Sequence, residues 1–94
     1  MTDNEEKIKY QVLVNKKSRE FLNKLDKLAY TNILSKMVSL EDESRPTGCI
    51  KLAIKDAYRI RWSVYRLLYT IDDDNKIISV YDIAHRKDVY KKKE

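Results

Sequence analysis

Ninety-four residues with one glycine, one proline and 43% hydrophobic side chains leave room for one small domain whose single core is just adequate, and exclude both a second folded domain and a disordered polypeptide. Twenty Lys and Arg against 15 Asp and Glu give a formal charge of +5, which favours acidic partners such as nucleic acid. Cys49 is the sole cysteine, so an internal disulfide and a Cys-rich zinc site are both excluded.

Residues 1–6 are acidic and polar and read as a disordered start. With no export-signal pattern and no apolar run near the roughly 18 residues of a membrane span, the chain is expected in the cytoplasm and off the membrane. Ile8, Tyr10, Val12 and Val14 share one face by alternation, which predicts a first strand. From Asn15 to Leu40 the period becomes helical. Phe21, Leu25 and Leu28 form one stripe, and Ile33, Met37 and Leu40 form another that Leu34 and Val38 widen. A single straight helix of this length would overhang so small a domain. A break near Asp26–Tyr30 is therefore expected, folding two helices into a hairpin laid on a sheet. Residues 41–48 hold the proline and the glycine and form a loop.

Beyond that loop, β-favouring residues predict three consecutive strands at Tyr58–Trp62, Tyr65–Ile71 and Ile77–Ile83. Ser63-Val64 is a poor two-residue turn by composition, whereas residues 72–76 are an unambiguous one. The basic tail from Ala84 onward carries a short terminal helix in this reading. The expected fold is α+β in the order β-α-α-β-β-β, an antiparallel twisted sheet with a helix hairpin packed on it, as one domain over residues 1–94.

The surplus charge lies in the second half: residues 1–50 hold nine basic and eight acidic side chains, residues 51–94 eleven and seven. Within that half, residues 57–71 carry Arg59, Arg61 and Arg66 and no acid. Arg59 and Arg61 leave the same strand face, and Arg66 joins them if its strand pairs with theirs. Such a group suits phosphate, because each planar fork grips two phosphate oxygens; the solvated outer face of a hairpin is the competing reading. Tyr58, Tyr65, Tyr69, Tyr81 and Tyr90 lie in the same half. Aromatics among cations can stack on unpaired bases, but tyrosine also packs half-buried sheets, and most of the five are assigned that structural role. Tyr90, beyond the last strand among cations, is the exception. His85, the one histidine, titrates near pH ~6.5 when unperturbed and can carry a proton. No phosphate loop, Ser-His-Asp arrangement or metal-ligand set is visible, so neither a cofactor nor a metal is expected.

At Tyr58-Arg59-Ile60-Arg61, Tyr65-Arg66-Leu67-Leu68-Tyr69 and His85-Arg86-Lys87-Asp88-Val89-Tyr90, the sequence resembles the RelE branch of the RelE/ParE toxin superfamily, over nearly the whole chain. The resemblance implies a toxin of a type II toxin-antitoxin pair, an endoribonuclease that cuts mRNA on the ribosome without metal by attack of a ribose 2′-hydroxyl on the adjacent phosphate. It implies a catalytic group of Arg61, Arg66, His85, Arg86 and Tyr90, with Lys51, Lys55, Arg59 and Lys87 contacting RNA. Arginines stand at positions 59 and 61 where some relatives carry lysines, and arginine cannot serve as a base. Proton abstraction then falls to His85, Tyr90 or Lys51, or is unassisted. The expected partners are the ribosome with its mRNA and an acidic, partly disordered antitoxin in a hetero-oligomer. A ParE-like gyrase inhibitor and a catalytically inactive RNA-binding homologue are the alternatives.

Overall fold

A computed structural model describes residues 9–87. The elements run β1 (Gln11–Val14), α1 (Lys16–Asn23), α2 (Lys27–Ser39), β2 (Ile50–Lys51), β3 (Ala57–Trp62), β4 (Tyr65–Asp72) and β5 (Ile77–His85). The expected start of the first strand at Ile8, the disorder expected of residues 1–6, the expected terminal helix and Tyr90 all lie outside the described residues.

The fold is α+β, with the predicted order extended by one short strand, β2. All the strands join in one sheet ordered β1-β5-β4-β3-β2. The expectation of an antiparallel sheet needs one correction, because β1 lies parallel to β5, while the other three ladders are antiparallel. Six connections separate these two strands, and a chain that reverses at each of them ends in the direction in which it began.

The helix break falls at residues 24–26, just ahead of the predicted position, and Asp26 explains it. Its carboxylate accepts the Ala29 amide at 2.9 Å as the N-cap of α2, and Asn15 caps α1 in the same way through the Ser18 amide at 3.0 Å. Leu22, Ile33, Met37 and Leu40 meet Ile60, Leu67, Tyr69, Ile71, Ile78, Val80 and Ile83 in the main core on one face of the sheet. Val12 and Val14 pack against this core from β1, as their alternation predicted. The helical stripe was drawn too wide, however. Leu28 is 82% exposed, and Leu34 and Val38 also face solvent, since a helix lying on one sheet face buries only the arc it presents to that face.

Ser63 takes φ 60° in the β3–β4 turn, supplying the positive φ that a tight hairpin turn needs from a residue unfavoured for it. The ladder between β4 and β5 carries a bulge: Leu68 faces Asp82 while the next residue, Tyr69, faces Val80, so Tyr81 is extra on β5. This single inserted residue inverts the alternation of everything after it. Val80 points into the main core and so does Ile83, which sends Asp82 and Ala84 to the opposite face.

Candidate functional site

The face of the sheet away from the helices carries the arginines. Ile60 is buried in the main core, so its neighbours Arg59 and Arg61 leave from the other side. Arg61 lies directly across from Arg66, and Arg66 directly across from Ala84. The backbone amide of Arg86 donates to the Val64 carbonyl at 2.7 Å, which fixes Arg86 at the β3–β4 turn. Arg61, Arg66 and Arg86 are thus gathered at one end of the sheet, although Arg86 is far from the other two in the sequence.

They are not equivalent there. Arg61, Arg86 and Lys87 are exposed, whereas Arg66 is fully buried, so the expected surface patch of three guanidinium groups becomes two exposed ones with a third behind them. Arg66 Nη2 lies 3.7 Å from Asp82 Oδ2, and Lys17 Nζ from α1 lies 3.0 Å from the other oxygen of the same carboxylate. A buried guanidinium needs such a counter-charge, because isolated burial of an ion costs far more than a fold this size can supply. Sequence reading missed Asp82 because the acid-free run ends well before it. The available signal was that Asp82 is the one acid inside the otherwise uncharged stretch Ile77–Ile83.

His85 does not join the arginines. Simple alternation from Ile78 and Val80 would put it on their face, but the bulge turns it to the helix side, opposite Tyr65, whose ring it meets edge-on at 5.8 Å. Its Nδ1 accepts the Lys87 amide at 3.3 Å, which places the proton of the neutral ring on Nε2. Lys51 and Lys55 also stand apart. Lys51 pairs across from Tyr58 and donates to the Leu52 and Ile54 carbonyls at 2.6 and 3.0 Å. Lys55, in the loop before β3, lies beside Asp56, Asp72, Asp73 and Asp74 at the far end of the sheet. Arg59 is half-buried on the arginine face, and Leu52, Ala57 and Leu68 form a second small apolar cluster at the centre of that face.

The far end has its own network. Arg45 forks onto Asp73 at 2.9 and 3.3 Å and donates from Nε to the Tyr58 hydroxyl at 3.0 Å, while the Tyr10 hydroxyl donates to Asp73 at 2.6 Å. Those hydrogen bonds from Arg45 and Tyr10 pull the Asp73 carboxyl down to about 2, and the hydrogen bonds to Asp73 and then to Tyr58 raise the Arg45 guanidinium further. Tyr69 stacks near Tyr58 with ring centres 6.0 Å apart and donates its buried hydroxyl to the Ser44 carbonyl at 3.0 Å. Burial pushes the Tyr69 hydroxyl above its ordinary range. Tyr58 and Tyr69 therefore take the structural role assigned to most of the tyrosines, tying residues 44–45 to the sheet. Among the described residues no cluster of metal-ligating side chains is found, and no helix there is long and apolar enough to cross a membrane.

A family model described as the ParE toxin of type II toxin-antitoxin system, parDE, matches residues 8–90. No curated protein matches the chain. Among solved structures, a chain of the archaeal RelE-RelB complex from Pyrococcus horikoshii OT3 is similar at 27% identity, with a TM-score of 0.75 over 83% of this chain and 96% of that one. A chain of the toxin-antitoxin complex RelBE2 from Mycobacterium tuberculosis is 24% identical, with a TM-score of 0.73 over 84% and 100% of the two chains. The isolated RelE toxin of E. coli is 22% identical, with a TM-score of 0.71 over 87% and 92%.

Proposed function

Because the chain belongs to the ParE toxin family of type II toxin-antitoxin systems, within the RelE/ParE superfamily, we propose that its toxicity is a RelE-type cleavage of mRNA on the ribosome. The observation that carries this reading is the gathering of Arg61, Arg66 and Arg86 at one end of the sheet. In the reaction the 2′-hydroxyl loses its proton, its oxygen bonds to the adjacent phosphorus, and the bond to the 5′-oxygen breaks as that oxygen takes up a proton. The products are a 2′,3′-cyclic phosphate and a free 5′-hydroxyl. The phosphorane formed on the way carries extra negative charge, and preorganised cations favour it over the ground state. Arg61 and Arg86, exposed at the site, grip the phosphate. Arg66 acts from behind them, held by Asp82, as a positioning and electrostatic residue. Arg59 and Lys87 extend the contact to neighbouring phosphates.

His85, turned to the helix side against Tyr65 with Nδ1 already an acceptor, takes no proton-transfer role. Tyr90 of the tail motif is the base in this proposal, and Lys51 and Lys55, at the other end of the sheet, are left out of the chemistry. No step calls for a metal. An antitoxin segment rich in acids is the partner that fits an exposed cationic end, in line with the complexes from P. horikoshii and M. tuberculosis. The mRNA substrate places the action in the cytoplasm. A ParE-type gyrase inhibitor is the second reading, favoured by the family description and by the turning of His85 away from the arginines. Primer extension on cellular mRNA after induction tests the two. New 5′ ends inside translated codons support cleavage; their absence, with altered plasmid supercoiling, overturns it in favour of gyrase.

A further inference from the structure

Trp62 closes β3 on the helix side of the sheet, next in sequence to Arg61. It is the chain's one tryptophan and stays 36% exposed, whereas Tyr69 further along the same face is fully buried. The indole does not hang free. Its Nε1–H donates to the Asn32 carbonyl and side-chain oxygens at 3.2 and 3.0 Å, and Lys36 Nζ sits 4.7 Å from the ring centre. Both anchors come from α2, so the ring is fixed and its polar group satisfied while a third of the residue remains open. Val64 beside it is exposed as well. The residues in and beside β3, β4 and β5 that build this end, 61–66 and 83–87, contain no acid, and the carboxylate that β5 does bring near, Asp82, is buried against Lys17 and Arg66.

A tryptophan whose task was only to seal α2 against the sheet would be covered, and would not need cations on its flanks. We infer that Trp62 is a stacking platform for an unpaired base of single-stranded RNA, with Arg86, held at the adjoining β3–β4 turn, taking the phosphate on one side of that nucleotide and Lys36 on the other. This rests on the RNA-directed reading above and extends it from the scissile phosphate to a neighbouring base. A rigid indole loses little freedom on binding, and base–aromatic stacking tolerates any base.

The test uses the purified full chain and a short oligouridylate. Because Trp62 is the one tryptophan, its fluorescence reports this site alone. Quenching of that emission is expected to track the anisotropy of fluorescein-labelled oligouridylate. Trp62→Leu should weaken binding about fivefold or more, and Trp62→Phe, which keeps an aromatic face and packs more conservatively, should weaken it less. Binding without quenching, or equal affinities for both variants and the parent, overturns the platform. The failure of the underlying reading looks different: the parent protein then produces no new 5′ ends in cellular mRNA.

Discussion

The two ends of the sheet use cations in opposite ways. At the Asp73 end three cations have assigned partners and a fourth, Lys55, lies among four aspartates: Arg45 forks onto Asp73, Lys51 donates to two carbonyls and Lys76 lies 5.1 Å over the Tyr10 ring. At the Val64 end Arg66 and Lys17 share the Asp82 carboxylate, while Arg61, Arg86 and Lys87 stand exposed with no ion pair among the described residues. The first arrangement fastens residues 44–45 and the β4–β5 turn together. The second keeps positive charge available at a fixed place, which is what an anionic ligand requires. Charge content alone does not separate these roles, since both ends are rich in Arg and Lys; the pairing does.

Substitution at the two ends should therefore separate activity from stability. The largest effect on activity is expected for Arg61→Ala, which should lower mRNA cleavage about a hundredfold and leave the thermal midpoint nearly unchanged, as primer extension and a melting curve on the same protein will show. A large fall in midpoint would mean that Arg61 belongs to the structural class. Arg66→Ala should instead cost about 3–5 kcal/mol in urea unfolding, because Asp82 would be left buried with Lys17 as its remaining described ion-pair partner. At the other end, Tyr69→Phe removes the donor to the buried Ser44 carbonyl. It should cost about 1–3 kcal/mol and leave cleavage by the folded fraction unaltered.

The smallest effect is one of pH. The Asp73 carboxyl is held at about 2 in the folded protein against an ordinary value of 3.8, so its contribution is present above the ordinary value and is lost as the pH falls toward about 2. The midpoint should drop across that window. Asp73→Asn should flatten the drop, and an unchanged pH profile in that variant would show that Arg45 and Tyr10 do not depend on the charge.

Apart from the short β2, the strands and the side of the sheet that holds Arg59, Arg61 and Arg66 were legible from alternation, because strand periodicity fixes faces locally, and the helix break was legible from the length of the helical stretch. Three features were not. Leu28, Leu34 and Val38 carry the same apolar signal as Ile33 and Met37, and which arc of α2 meets the sheet depends on a tertiary contact. The parallel pairing of β1 with β5 joins residues separated by the whole of both helices and three strands, beyond any local pattern. The bulge at Tyr81 has no composition signature of its own, yet it decides that Asp82 faces Arg66 and that His85 faces Tyr65. One extra residue thus divided a site that the sequence appeared to hold together.

The central claim is that the Val64 end acts on RNA through its exposed arginines. Its most direct test is purified toxin on ribosomes programmed with a defined mRNA, comparing the parent with Arg61→Ala and Arg45→Ala. The account predicts cleavage within the translated codons and a 2′,3′-cyclic phosphate for the parent and for Arg45→Ala, with about a hundredfold loss for Arg61→Ala. Equal cleavage by Arg61→Ala and the parent, or an intact message under all three proteins, would contradict it.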